Sequence, residues 1–229
     1  MAKNPHSLLP RDRAILEFVA RYRLATDALL HRQFFPEVQD HGPVRKVTSR
    51  LVLQNYLREF QVAGRLSYYA LAPRGCRALG LPGREPRPFT EQSLPAALAI
   101  AYFCVANRVK LFTAAEFRER FPEMCRPSLK AAGYYVEEVE GRMFLRLLLV
   151  DRAAQAEHVV RKVLSKIAQR YKLKKFASLI QNRRFAVIVL TGFAAKQREL
   201  EAALRAKHKG PVAVRVEVVP EVGAFLTRR

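Results

Sequence analysis

The chain has 229 residues, half of them hydrophobic and a tenth aromatic, which is apolar material for one large domain or two small ones and excludes a disordered or collagen-like chain. Its 41 Lys and Arg against 20 Asp and Glu give a net charge of +21. An enzyme acting on a neutral metabolite has no need of that excess, which points to nucleic acid or an anionic membrane surface as the partner.

The first thirteen residues hold no apolar core of a secretory signal. The longest apolar run, Leu94–Ala106, is shorter than the roughly 20 residues of a membrane span, so it reads as a buried helix. Cys76, Cys104 and Cys125 are widely spaced and the five histidines show no paired-ligand spacing, so buried thiols are expected rather than disulfides or zinc. The expectation is a cytoplasmic protein with no membrane partner, no metal and no cofactor.

Ser7 and Pro10 precede a predicted helix over Arg11–Tyr22, with Ala14, Ile15, Phe18, Val19 and Tyr22 on one face. Thr26 is placed to cap a second helix, Asp27–Phe35, which Pro36 ends. A third helix is predicted from about Val44 to Gln54, with Asn55 as a left-handed cap. Two β-rich runs, Tyr56–Val62 and Leu66–Leu71, flank a glycine-containing turn and predict a hairpin, and Pro73 opens a short helix over Arg74–Leu79. Three helices followed by a hairpin is the order of a winged helix-turn-helix, with the hairpin as the wing.

In the third helix, Val44, Thr48, Leu51, Val52 and Asn55 share one side and Arg45, Lys46, Ser49 and Arg50 the other. Arginine's planar fork fits guanine or phosphate and serine can donate to either. No acid lies between His41 and Glu59 along the chain to neutralise this patch, and Arg58 and Arg65 extend it onto the wing. The bland alternative is a solvated helix face. The winged-helix order and the net charge favour DNA.

Gly80–Pro88 holds three prolines and two glycines, so a linker is predicted over residues 81–92, between a domain at 1–80 and one at 93–229. In the second domain, helices are predicted at Leu94–Ala106, Thr113–Phe121, Ala154–Tyr171 and Ala194–Lys207. Lys172–Asn182 reads as helix or loop. Strands are predicted at Gly133–Val139, Arg142–Val150, Phe185–Leu190 and Val212–Val219, with a turn at Glu140–Gly141. This is an α/β sheet with helices packed on it, and the whole chain is expected to be a two-domain α+β and α/β protein. Between Glu157 and Arg184 nine cations face that one acid. Arg161, Lys162, Lys166, Arg170, Lys172, Lys174 and Lys175 form the expected basic flank, read as a phosphate-tracking surface against the alternative of a solvated helix side.

The segments Leu9–Leu16, Arg21–Thr26, Leu29–Pro36, Arg45–Leu57 and Tyr68–Gly75 give the N-terminal half a resemblance to the plasmid replication-relaxation family, winged-helix proteins of plasmids and mobile elements. Arg126-Pro127-Ser128, Leu149-Val150-Asp151-Arg152 and Phe185–Thr191 extend the resemblance to a domain, found in many relatives, that looks like the restriction-endonuclease, or PD-(D/E)xK, fold. Ser128 and Leu149 stand where that resemblance implies carboxylates, leaving Asp151 alone unless Glu137 or Glu138 substitutes. A hard cation needs convergent oxygen ligands, so a nuclease scaffold without catalysis is expected. Tyr68-Tyr69 and Tyr134-Tyr135 read as strand residues rather than nucleophiles.

The resemblance implies sequence-selective binding of double-stranded DNA at an origin or promoter, in replication, relaxation and mobilisation, or transcription regulation. The competing readings are a metal-dependent nuclease or nickase, and an adaptor that recruits a relaxase or replication initiator. A homodimer is compatible with winged-helix binding to inverted repeats, although no heptad marks one.

Overall fold

The computed structural model describes residues 8–62, 66–127, 129–152 and 154–223. It is a mixed α+β protein with a two-stranded and a four-stranded sheet among those residues. It divides into two compact units, the first ending at Glu91 and the second beginning at Gln92.

In the first unit, α1 (Pro10–Tyr22) starts with proline in its first turn, where a missing N–H is harmless, and buries Ile15, Leu16, Phe18, Val19 and Tyr22. The Thr26 hydroxyl accepts from the Leu29 N–H at 3.2 Å and caps α2 (Asp27–Phe34). α3 (Gly42–Leu53) buries Val44, Thr48 and Leu51. Asn55 has φ 58°, the left-handed value expected of a cap, and the Tyr56 N–H then reaches the Leu51 carbonyl at 2.9 Å. The strands β1 (Leu57–Val62) and β2 (Leu66–Leu71) pair antiparallel, Leu57 opposite Leu71 and Val62 opposite Leu66. Ala25 adds an antiparallel bridge to Tyr69, which fastens the α1–α2 junction to the hairpin. α4 (Pro73–Ala78) follows. Its Gly75 is obligatory, because a Cβ there would lie 2.1 Å from the Tyr56 carbonyl oxygen.

Residues 81–91 form no helix or strand, as their prolines and glycines require, but they belong to the first unit and are anchored to it. The Phe89 N–H donates to the Tyr68 hydroxyl at 2.7 Å, Phe89 meets the Tyr68 ring edge-on, and Arg23 lies over the Phe89 ring. Glu85 pairs with Arg58 at 3.0 Å. The predicted linker thus contains an aromatic anchor, which its proline content concealed.

In the second unit, the sheet order is β3 (Tyr134–Val139), β4 (Arg142–Val150), β5 (Phe185–Thr191), β6 (Ala213–Val218). β3 and β4 are an antiparallel hairpin turned by Glu140 and Gly141, both at positive φ, while β4–β5 and β5–β6 are parallel. β3 starts one residue later than predicted, because Gly133 takes φ 85°, outside the strand region, where a Cβ would also lie 3.1 Å from the Leu148 carbonyl oxygen. α5 (Leu94–Ala106), apolar all round, packs on β4 and β5. α7 (Ala156–Tyr171), α8 (Lys174–Gln181) and α9 (Ala194–Lys207) share a core with Leu145, Leu147, Val187, Val189 and Val216 of the sheet. α6 (Ala114–Arg120) adds Phe117, stacked on Tyr134 at 4.2 Å, and opens with a reciprocal cap between Thr113 and Glu116. β5 is fully buried, as expected of the apolar run Phe185–Leu190.

Candidate nucleic-acid interface

Three polar struts fix α3 in addition to its apolar stripe. The Arg50 Nη2 lies 2.6 Å from the Oδ1 of Asp12, a carboxylate buried on α1 that also accepts from the Leu9 N–H. The Arg74 Nη1 donates to the Gln54 carbonyl at the end of α3 and stacks over Tyr56. Tyr69 of β2 interacts with Thr48, and burial pushes its phenol up to about 12, so the hairpin contact stays neutral. The chain therefore invests α1, α4 and β2 in setting the orientation of one helix.

The opposite face of α3 is open. Arg45, Lys46 and Ser49 are exposed. So is Leu53, which is 88 % exposed and follows Ser49 by one helical turn. The sequence reading missed Leu53 because an apolar residue at the end of an amphipathic helix is ordinarily assigned to the core. Its exposure was legible only from the phase of Val44, Thr48 and Leu51. On this face a leucine can contact a thymine methyl or a deoxyribose.

Two expectations about this surface need correction. Arg50 does not stand with Arg45, Lys46 and Ser49 as a free group, since its guanidinium is held by Asp12. The patch also has acidic neighbours that a local reading of the chain could not see. Asp27 of α2 approaches Arg45 at 3.8 Å, and Glu85 pairs with Arg58. The exposed pairs can exchange a carboxylate for a phosphate at little cost, because such ion pairs contribute about 0–1 kcal/mol. The pair made by the buried Asp12 is of a different kind. Arg65, predicted at the hairpin tip, lies outside the described residues.

On the second unit Arg161, Lys162, Lys172, Lys174 and Lys175 are exposed and Lys166 is half-buried. Lys175 meets Glu123 at 3.5 Å. Arg170 is not part of the flank: it is 3 % exposed. Its Nε donates to the Tyr134 hydroxyl and its Nη1 to the Lys166 carbonyl, both at 2.8 Å, and the guanidinium lies against the rings of Tyr134 and Phe176. The helical phase already places Arg170 there, seven residues after Val163 and three after Ile167 on the inward stripe.

At the end of β4, Asp151 is buried and acts as a local staple. It accepts from the Ala154 N–H at 3.1 Å and from the Thr191 hydroxyl at 3.5 Å, joining the ends of β4 and β5 to the start of α7. Ser128 lies outside the described residues, and Leu149 packs against the core beside Asp151. Glu137 and Glu138 cannot converge on Asp151. They pair across the hairpin with Phe144 and Met143, at least seven strand residues or roughly 20 Å away. Glu137 is engaged by Arg146 at 2.9 Å. Among the described residues no three of His, Cys, Asp and Glu gather as metal ligands.

Burial raises the Asp151 carboxyl above the ordinary aspartate range, against the opposing pull of the Ala154 N–H, Lys196 and Thr191. The folded protein therefore holds this proton more tightly than the unfolded chain, and the stability linked to it is present at acid pH and lost as pH rises through the folded value. Asp151→Asn, which keeps an acceptor for the Ala154 N–H, is expected to be at least as stable as the parent at neutral pH and to show a flatter stability profile between pH 4 and 7. Urea titrations across that range check it. A variant less stable at pH 7 than at pH 4, relative to the parent, contradicts the assignment.

Comparison of the chain with protein-family models finds no match, and comparison with curated proteins finds none either.

Proposed function

We propose that the protein binds double-stranded DNA selectively and does not cut it. The first unit is read as a winged helix whose α3 enters the major groove, with Arg45, Lys46, Ser49 and Leu53 toward the bases and Arg58 of the hairpin toward phosphate. The observation that carries this reading is the contrast on α3 itself: one face is fixed by Asp12, Thr48 and Arg74, and the other presents a cationic, hydrogen-bonding surface with an exposed leucine. The net charge of +21 supplies the long-range attraction. The exposed cations of α7 and α8 are read as sequence-independent phosphate contacts. The engagement of Asp151 within its own loop favours binding over metal-dependent cleavage. The resemblance in the N-terminal half supplies the setting, an origin or promoter on a plasmid or other mobile element.

Three measurements test this reading together. Titration of the intact chain with duplex DNA between 50 and 200 mM salt is expected to give a log–log slope of about −4 to −5, for roughly five neutralised phosphates. A slope shallower than about −2 counts against DNA as the partner. At a site recovered by selection from random DNA, Arg45→Ala is expected to cost about 1–3 kcal/mol and much less on random DNA. Supercoiled plasmid with Mg²⁺ or Mn²⁺ is expected to stay intact, and nicking that vanishes in Asp151→Asn would instead establish a nuclease.

A further inference from the structure

Outside the carboxyl ends of the parallel strands β4 and β5, beside the start of α7, lies a cleft of about 260 Å³. Ligands of open α/β sheets bind at this end of the strands. Apolar side chains, among them Val159, Val163 and Val189, form part of the wall. The polar lining is Asp151, Arg152, His158 and Lys162. His158 and Lys162 are one helical turn apart on α7, and Arg152 comes from the loop that leaves β4.

The charge arrangement here is unfavourable for the protein alone. Burial, with the like-charged neighbours Arg152 and Lys166, lowers the Lys162 ammonium below the ordinary lysine range, against the opposing pull of Asp151. Neither Arg152 nor Lys162 forms an ion pair with a described carboxylate. Asp151, the acid at this place, is already accepting from Ala154 and Thr191. Arg152, His158 and Lys162 stand exposed at the mouth of the cleft, and two cations beside a single carboxylate that is already bonded within its own loop are stabilised by an anion from outside. An arginine fork, a lysine and an imidazole can surround a terminal phosphate on three sides, while the apolar wall accepts the carbons that follow it. The volume is below the range of about 300–1,000 Å³ typical of drug-sized ligands, so it suits a single end group rather than a continuous duplex backbone.

We propose that this cleft is a binding site for a phosphate monoester, with the phosphate held by Arg152, His158 and Lys162. The monoester is either a free mononucleotide or the 5′ end of a DNA strand. The site is independent of the reading of α3. Lys162 also belongs to the exposed cations of α7, so the duplex test rests on the difference between 5′-phosphate and 5′-hydroxyl ends, which contacts to the duplex backbone do not produce.

The intact chain is titrated by calorimetry with inorganic phosphate, with a nucleoside 5′-monophosphate, and with two blunt duplexes that differ only in a 5′-phosphate or 5′-hydroxyl. Saturable binding of one monophosphate per chain is expected. It should weaken about tenfold or more in Lys162→Gln and in Arg152→Gln, the loss of one charge-assisted bond, and less than twofold in Lys209→Gln, an exposed lysine after α9. Binding of the mononucleotide with no difference between the duplexes identifies the free nucleotide as the source. Tighter binding of the phosphorylated duplex, lost in Lys162→Gln, identifies the strand end. Absence of saturable binding by every phosphate monoester, or equal losses in Lys162→Gln and Lys209→Gln, overturns the proposal.

Discussion

Arg170→Ala is expected to destabilise the second unit by about 3–5 kcal/mol. The substitution leaves the Tyr134 hydroxyl buried without its donor, worth about 1–3 kcal/mol. It also empties the space between Tyr134 and Phe176, and cavities left by large-to-small changes add a few kcal/mol more. Against a total stability of order 5–15 kcal/mol, this is a large fraction. Arg170→Lys should recover little, because an ammonium cannot serve both the hydroxyl and the carbonyl in one plane. Arg170→Met combined with Tyr134→Phe should recover most of it, since removing both partners of a buried polar contact leaves nothing unsatisfied. The chain has no tryptophan, so far-UV circular dichroism in urea is the suitable probe. A loss below about 1 kcal/mol for Arg170→Ala would show that water replaces the guanidinium and that the site is not sealed.

The second large effect concerns the strut between α1 and α3. Asp12→Ala removes a buried carboxylate that bonds both Arg50 and the Leu9 N–H, and is expected to cost about 2–3 kcal/mol. The side chain of Arg50 is 38 % exposed and can turn to water, which holds the cost below that of a wholly buried pair. Loss of the strut loosens α3 without changing its outer face. Asp12→Ala and Arg50→Ala are therefore expected to weaken binding to selected and random DNA by similar factors, whereas Arg45→Ala weakens selected DNA far more. A base-reading role for Arg50 would reverse that pattern, with Arg50→Ala acting on the selected site alone.

These two residues also show where a single sequence stops being informative. Segments whose signal is local were legible. Arg142–Val150 and Ala194–Lys207 have the bounds expected from a largely apolar run and from helical spacing, and Thr26 and Asn55 cap as their side-chain chemistry predicts. Partners from distant segments were not. Asp12 lies 38 positions from Arg50, so the cationic face of α3 read as unopposed although α1 and α2 bring Asp12 and Asp27 to it. Arg170 was legible in phase but was judged by its charge. Phe89 was masked by the prolines around it. The exposed part of the candidate interface, Arg45, Lys46 and Ser49, followed from period, and the same period places Leu53 beside them, where its apolar character argued for the core instead.

Whether the outer face of α3 meets DNA is tested most directly by amide chemical-shift mapping of the intact chain on addition of a selected duplex. Perturbations are expected to concentrate at Arg45, Lys46, Ser49 and Leu53, with a second group along β1 near Arg58, and to be lost in Arg45→Ala at equal DNA concentration. Perturbations confined to α7 and α8, with α3 unchanged, would contradict that contact.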